Sequence, residues 1–193
     1  MEIIYIKPKD LIKSKDFLNN IFDILVECDT EFVPILSSRT TTKQTNFNSI
    51  EIYDTNTKPT EYFINITKQH NILAIQNDKV IAFMSFIYNY DKNEFFNKKN
   101  INDINNYITS ICVKKDFRHQ GIAGKLYDYI ENSLPNDISS QYISTRTWST
   151  NIANLNILKK RNFVNTWTIK EDRSLKDGTK VDTVYYSKKI NMK

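Results

Sequence analysis

This chain has little of what builds metal centres, disulfide scaffolds and glycine-rich phosphate loops. It has two histidines and two cysteines in 193 residues, with no paired Cys/His spacing, so a metal site has no support. Cys28 and Cys112 both lie in apolar segments, which makes them reduced core thiols rather than a disulfide. No apolar run approaches the roughly 20 residues of a membrane helix. The start, Met1-Glu2-Ile3-Ile4-Tyr5-Ile6-Lys7, reads as a strand and not as a signal peptide, so the expected location is the cytoplasm. Only three glycines are present, and their placing removes two phosphate loops. Gly124-Lys125 runs into Leu126 where a P-loop needs Ser or Thr, with no earlier glycine at the required spacing. Gly121 and Gly124 cannot supply the Gly-x-Gly-x-x-Gly of a dinucleotide fold.

What is present fits one globular domain over residues 1–193. The hydrophobic fraction is 40% and the aromatic fraction 12%, enough for a substantial single core. Net charge is +5 with pI near 9.0. Lys114, Lys115, Arg118, His119 and Lys125 form one basic group, and Lys159, Lys160 and Arg161 another. Such a field attracts a polyanion, although solvated helix faces carry the same charges. A nucleic-acid-binding module is a reading of this charge from a different class. No zinc-ligand spacing, aromatic RNA-binding signature or helix-turn-helix pattern accompanies it, so no nucleic acid is expected as partner.

Along the chain, a strand over roughly Glu2 to Ile6 leads into a helical stretch. Leu11, Phe17, Leu18, Ile21, Phe22 and Leu25 recur there at helical spacing, and Pro34 ends or interrupts it. Ser37 to Lys43 is a loop and Thr60 to Gln69 a short helix. Asn71 to Ile75 and Lys79 to Ile87 flank the turn Asn77-Asp78, a hairpin signal. The polar stretch 91–102 joins it to the strand Tyr107 to Val113. A helix over 121–134 stops at Leu134-Pro135. Gln141 to Trp148 is a strand, and Asn151 caps a helix that turns Ile152, Leu155 and Leu158 inward and ends near Asn162. Phe163 to Ile169 and Val181 to Lys188 are strands around Asp177-Gly178. The sum is a mixed α/β domain with a central, partly antiparallel sheet flanked by helices.

The most informative stretch is Asp116 to Leu126. It follows the apolar strand, holds two of the three glycines and opens a helix with Ile122, Leu126, Ile130 and Leu134 on one face. The first N–H groups of such a helix lack intrahelical partners and carry the positive end of its dipole. Glycine there lets a phosphate approach the backbone. A phosphorylated cofactor is the expected ligand.

These residues resemble the GNAT superfamily of acetyl-coenzyme A-dependent acyltransferases. The family's pyrophosphate loop reads Arg/Gln-x-x-Gly-x-Gly/Ala, and Arg118, Gly121 and Ala123 fill its defining places. The strand Ile111-x-Val113 precedes it at the family's usual distance. Asn151, an amphipathic helix and Phe163 repeat a second family pattern. The resemblance implies a splayed strand pair at the cofactor site, with Ile111, Cys112 and Val113 offering backbone N–H groups to the acetyl and pantetheine parts. It also implies that Arg118, His119, Gln120, Gly121, Ile122, Ala123, Gly124 and Lys125 hold the pyrophosphate. Asn151 would hydrogen-bond the pantetheine arm, or serve only as a helix cap. The expected reaction is direct attack of a primary amine of a small molecule or peptide on acetyl-coenzyme A, in a monomer or homodimer with no membrane partner.

Two departures leave the proton-transfer residues unassigned. Leu158 stands where many members have a tyrosine acid, and Tyr107-Ile108-Thr109-Ser110 where many have a glutamate base. Tyr107, Tyr185 or Tyr186 are replacements for the first, each also an ordinary strand aromatic, and a water relay can serve for the second. A coenzyme A-binding protein without efficient catalysis is therefore the nearest rival reading. Cys112 as a covalent nucleophile has no obvious base partner in His70 or His119. The acids Glu27, Asp29 and Glu31 follow the long helix. Asp29 and Glu31 are the candidates for receiving a cationic acceptor, against the alternative of a solvated helix end.

Overall fold

The computed structural model describes residues 1–37, 45–47, 50–52, 59–90, 104–175 and 177–190. The expected loop beyond Ser37 and the polar stretch 91–102 lie outside the described residues. In chain order the elements are β1 (Glu2–Ile6), α1 (Pro8–Leu11), α2 (Lys15–Cys28), β2 (Thr45–Phe47), β3 (Ile50–Ile52), α3 (Thr60–Thr67), β4 (His70–Gln76), β5 (Lys79–Ile87), β6 (Asn105–Val113), α4 (Ile122–Asn132), β7 (Tyr142–Trp148), α5 (Ile152–Lys160), β8 (Val164–Ser174) and β9 (Lys180–Lys189). Seven strands form a mainly antiparallel sheet in the order β1-β4-β5-β6-β7-β9-β8, and β2 and β3 form a separate antiparallel pair. The chain divides into two compact units, Met1–Ser85 with Ser110–Ile130 and Phe86–Thr109 with Glu131–Lys193.

In the first unit, Ser14 caps α2 by accepting from the Phe17 amide at 3.4 Å, one of the orphan donors of a helix start. Leu18, Ile21, Ile24, Leu25 and Cys28 form the helix's buried face, against Phe63, Ile66, Leu73 and Phe83 in one core cluster. The helix stops at Cys28, six residues before Pro34, and a 3₁₀ turn over Asp29–Glu31 follows. Side-chain chemistry sets this stop: the Asp29 carboxylate accepts from the Ser37 amide at 2.7 Å and the Ser37 hydroxyl at 2.8 Å. The β4–β5 hairpin turns through Asn77 at φ 51° and Asp78 at φ 60°, the left-handed pair that a two-residue hairpin requires. Asn71 is wholly buried yet satisfied, donating to the Ile66 and Gln69 carbonyls and accepting from Ser85.

In the second unit, β6 and β7 run parallel over four pairs, Asn105–Tyr142 to Ile108–Thr145. The ladder ends there, although β6 continues to Val113 and β7 to Trp148. Strand β7 instead keeps its antiparallel partner β9 along its whole length. Strand β8 reaches Ser174, beyond the expected Ile169, with bulges between Asn165 and Trp167 and between Ile169 and Arg173. Glu131 binds Arg161 at 3.0 Å and Lys188 at 2.6 Å while its side chain is only 8% exposed. Arg161 is thus half of a buried ion pair and not part of a free basic face. Leu158 is fully buried, as its spacing predicts. Ile152, expected inward, is 61% exposed, because it sits in the first helical position, before α5 has turned its apolar side to the core.

Candidate functional site

The loop after β6 is built by backbone conformation. A 3₁₀ turn spans Lys115–Phe117 and Arg118 is extended. His119 then takes φ 61° and Gly121 φ 75°. The Gly121 carbonyl accepts from the Lys125 amide at 3.1 Å, which makes Gly121 the residue from which α4 springs. A left-handed conformation at that place suits glycine and few others. A Cβ added at Gly121 would meet nothing within 4 Å, so the space in front of the backbone is open. The first amides of α4 look for acceptors outside the helix, and the helix dipole favours an anion there. His119, Gln120, Gly121 and Lys125 are exposed, while Ile122 is buried and anchors the helix. The cradle therefore fits a phosphate group, with Lys125 adding a cation.

Arg118 departs from the role its sequence position suggests. Its Nε donates to the Val113 carbonyl at 3.0 Å, Nη1 to Glu31 at 2.7 Å and Nη2 to the Cys28 sulfur at 3.4 Å. The guanidinium is turned toward the strand end and the turn after α2, where it braces the loop. Glu31 and, to a smaller degree, the Cys28 sulfur outweigh the cost of its burial and raise its pKa, so the charge is permanent.

The acids expected to receive an acceptor are occupied in the same way. Glu31 holds Arg118 and Asp29 holds Ser37. Glu27 accepts from the Lys115 amide at 3.0 Å. These three carboxylates fasten the turn after α2 and the loop after β6, which is reason enough for their presence in the sequence.

On β6, Cys112 points into the core, whereas Ile111 and Val113 are half-buried on the other face. Cys28 and Cys112 are both free thiols, and they hydrogen-bond each other. That bond, then burial, holds the Cys112 thiol well above its ordinary value. The same bond, aided by Arg118, lowers Cys28 against the opposing effect of its burial. Cys112 is the protonated donor of the pair, which suits packing better than nucleophilic attack.

In the second unit, Asn151 caps α5, its side-chain oxygen accepting from the Asn154 amide at 3.3 Å. Its amide nitrogen has no protein partner among the described residues, so capping and ligand binding are compatible here. Tyr107 and Tyr185 are buried in one cluster with Ile87, Tyr90 and Ile169 beside them. The rings of Tyr90 and Tyr107 stack at 4.5 Å. Arg146, which motif reading passed over, lies against this cluster. Burial works to lower its pKa, but the phenols of Tyr107, Tyr185 and Tyr90 outweigh that and raise it. The signal in the sequence was a lone charge within the strand Tyr142–Trp148. Tyr186, the remaining candidate for the missing acid, is half-buried. No group of His, Cys, Asp and Glu among the described residues is arranged to hold a metal. Nor is any described helix long and apolar enough to cross a membrane.

Solved structures share this architecture over nearly the whole chain. An Arabidopsis thaliana NAA60 structure with a bisubstrate analogue is 15% identical, covering 98% of this chain and 99% of its own, with a TM-score of 0.63. The Escherichia coli ribosomal-protein-S18-alanine N-acetyltransferase is 14% identical, covering 100% of this chain and 95% of its own, also at 0.63. The Brucella melitensis ribosomal-protein-alanine N-acetyltransferase is 14% identical, covering 98% and 100%, at 0.60. At such identity the likeness is one of fold. No curated protein sequence matches this one. The profile described as Acetyltransferase (GNAT) family matches residues 21–163, and with the strand, left-handed loop and helix in place, the chain belongs to the GNAT acetyltransferases.

Proposed function

We propose that this protein is a cytoplasmic N-acetyltransferase that transfers the acetyl group of acetyl-coenzyme A to a primary amine. The observation that carries this reading is the loop from His119 to Lys125. Two left-handed residues, open space at Gly121 and an exposed lysine make a cradle suited to a pyrophosphate. Arg118 and Glu31 keep the loop at the strand end. The half-buried edge of β6 at Ile111 and Val113 offers its backbone to the acetyl and pantetheine groups. Acetyl-coenzyme A supplies the activated acetyl group. The chain orients it, excludes water and provides donors for the oxyanion.

Intact-mass detection of acetyl transfer across a panel of amines tests the proposal. A mass gain of one acetyl group on an amine, dependent on folded protein, is the expected result. Coenzyme A binding without transfer to any amine supports the second reading, a non-catalytic coenzyme A-binding protein. One observation favours it: Leu158, where many members have the tyrosine acid, is wholly buried.

A further inference from the structure

We propose that Arg146 recognises a carboxylate on the amine acceptor, so that this protein prefers amines that also carry a carboxylate. The inference rests on the acetyltransferase reading above and names the acceptor class for it. Arg146 is the only charged residue of β7 and the only exposed one, between buried Thr145 and Thr147. Its cross-strand partner is Tyr185, and it stands one residue past the last β6–β7 pair. Around its guanidinium are the phenols of Tyr107, Tyr185 and Tyr90.

Among the described arginines, Arg118, Arg161 and Arg173 each pair with a carboxylate, and Arg146 does not. In the same unit Arg161 and Lys188 share Glu131, Lys170 has Asp182 and Arg173 has Asp172. Arg146 meets only phenols among the described residues. A phenol accepts a hydrogen bond but neutralises nothing. A permanent, planar cation beside aromatic rings binds a carboxylate through two parallel N–H donors. Asp29 and Glu31, the acids that would favour a cationic acceptor, are already satisfied by Ser37 and Arg118.

Steady-state kinetics with matched acceptors test this. One pair sets an amino acid against its carboxamide, and a second sets a peptide with an acidic second residue against its amide counterpart. The two pairs separate an α-carboxylate from a side-chain one. Wild type is expected to favour one acid over its amide by about tenfold in kcat/KM, mainly through KM. Arg146→Gln erases the preference, and Arg146→Lys retains part of it. Equal kcat/KM for acid and amide in both pairs, or a preference that survives Arg146→Gln, overturns the proposal. If no amine is acetylated, the enzymatic reading fails. Calorimetric binding of the same acids and amides then decides whether Arg146 holds a carboxylate, with loss of acid binding in Arg146→Gln as the supporting result and equal binding as the refuting one.

Discussion

Arg118 spans 87 residues of sequence to place its Nη1 2.7 Å from Glu31 Oε1, while its Nε holds the Val113 carbonyl at 3.0 Å. One side chain thus joins the turn after α2, the end of β6 and the start of the loop. Exposed pairs of this kind contribute about 0–1 kcal/mol, and Glu31 is 46% exposed on its side chain. The effect expected of Glu31→Gln is therefore modest but directed. Acetyl-coenzyme A affinity falls about two- to fivefold because the loop is less well held, while KM for the amine stays the same. Calorimetry and initial rates separate the two quantities. A raised amine KM with unchanged cofactor affinity would instead make Glu31 an acceptor residue.

Gly121 carries the second prediction. At φ 75°, any residue with a Cβ pays about 1–2 kcal/mol in backbone strain, and the open space around it means that the cost is conformational and not steric. Gly121→Ala lowers the unfolding free energy by this amount, and Gly121→Asn by less, since asparagine tolerates the left-handed region. Gly121→Glu puts a carboxylate where the phosphate is proposed to sit. Thermal melts with and without acetyl-coenzyme A are expected to show the ligand-induced rise lost in Gly121→Glu. A folded Gly121→Glu variant with wild-type affinity removes the cradle from the argument.

The parts of the fold legible in the sequence are those governed by neighbouring residues. Asn77-Asp78 at a hairpin, Asn162 at φ 60° after α5 and Gly121 ahead of α4 each follow from which side chains accept a left-handed backbone. The apolar face of α2 follows from its period. What escaped was long-range pairing. Arg118 reads as a phosphate ligand until Glu31 and Cys28 are folded against it. Arg161 reads as surface charge until Glu131, 30 residues away, buries beside it. Arg146 has no local motif at all, because its surroundings come from β6, β9 and the segment that follows β5. The end of α2 depends on contacts of the same kind: the helix stops at Cys28, well ahead of the proline, where Asp29 binds Ser37.

Cys112 is expected to be dispensable for turnover. Its thiol is 3% exposed and is held protonated by its bond to Cys28 and by burial. Cys112→Ala opens a small cavity and costs about 1 kcal/mol, with kcat within a few-fold of wild type. Of the two thiols, Cys28 is the one lowered by its surroundings in the native fold, so native-state alkylation by iodoacetamide is expected to label Cys28 ahead of Cys112. Peptide mapping by mass spectrometry checks the order. An acetylated Cys112 trapped in the wild type, with an inactive folded Cys112→Ala, overturns the packing role.

Asp182 provides the pH dependence. Its carboxylate accepts from Lys170 Nζ at 2.8 Å and from the Glu171 amide at 3.0 Å, and these bonds, with Lys170 the larger contributor, lower its pKa. Glu171 sits at φ 52° in the second bulge of β8, a conformation unusual for a residue with a side chain, so Asp182 is the partner that holds the bulge. A carboxyl whose folded value is depressed stabilises the fold above the unfolded aspartate value, near 3.9. That contribution is lost as pH falls through the lower folded value. Asp182→Asn keeps an acceptor for the Glu171 amide but forfeits the charge. Its stability should therefore fall below wild type at neutral pH, and the gap should close as pH drops toward 3. Urea unfolding of both proteins at pH 7 and pH 3 measures it, and a gap that stays constant or widens on acidification would assign the effect to packing and not to the ionised carboxylate.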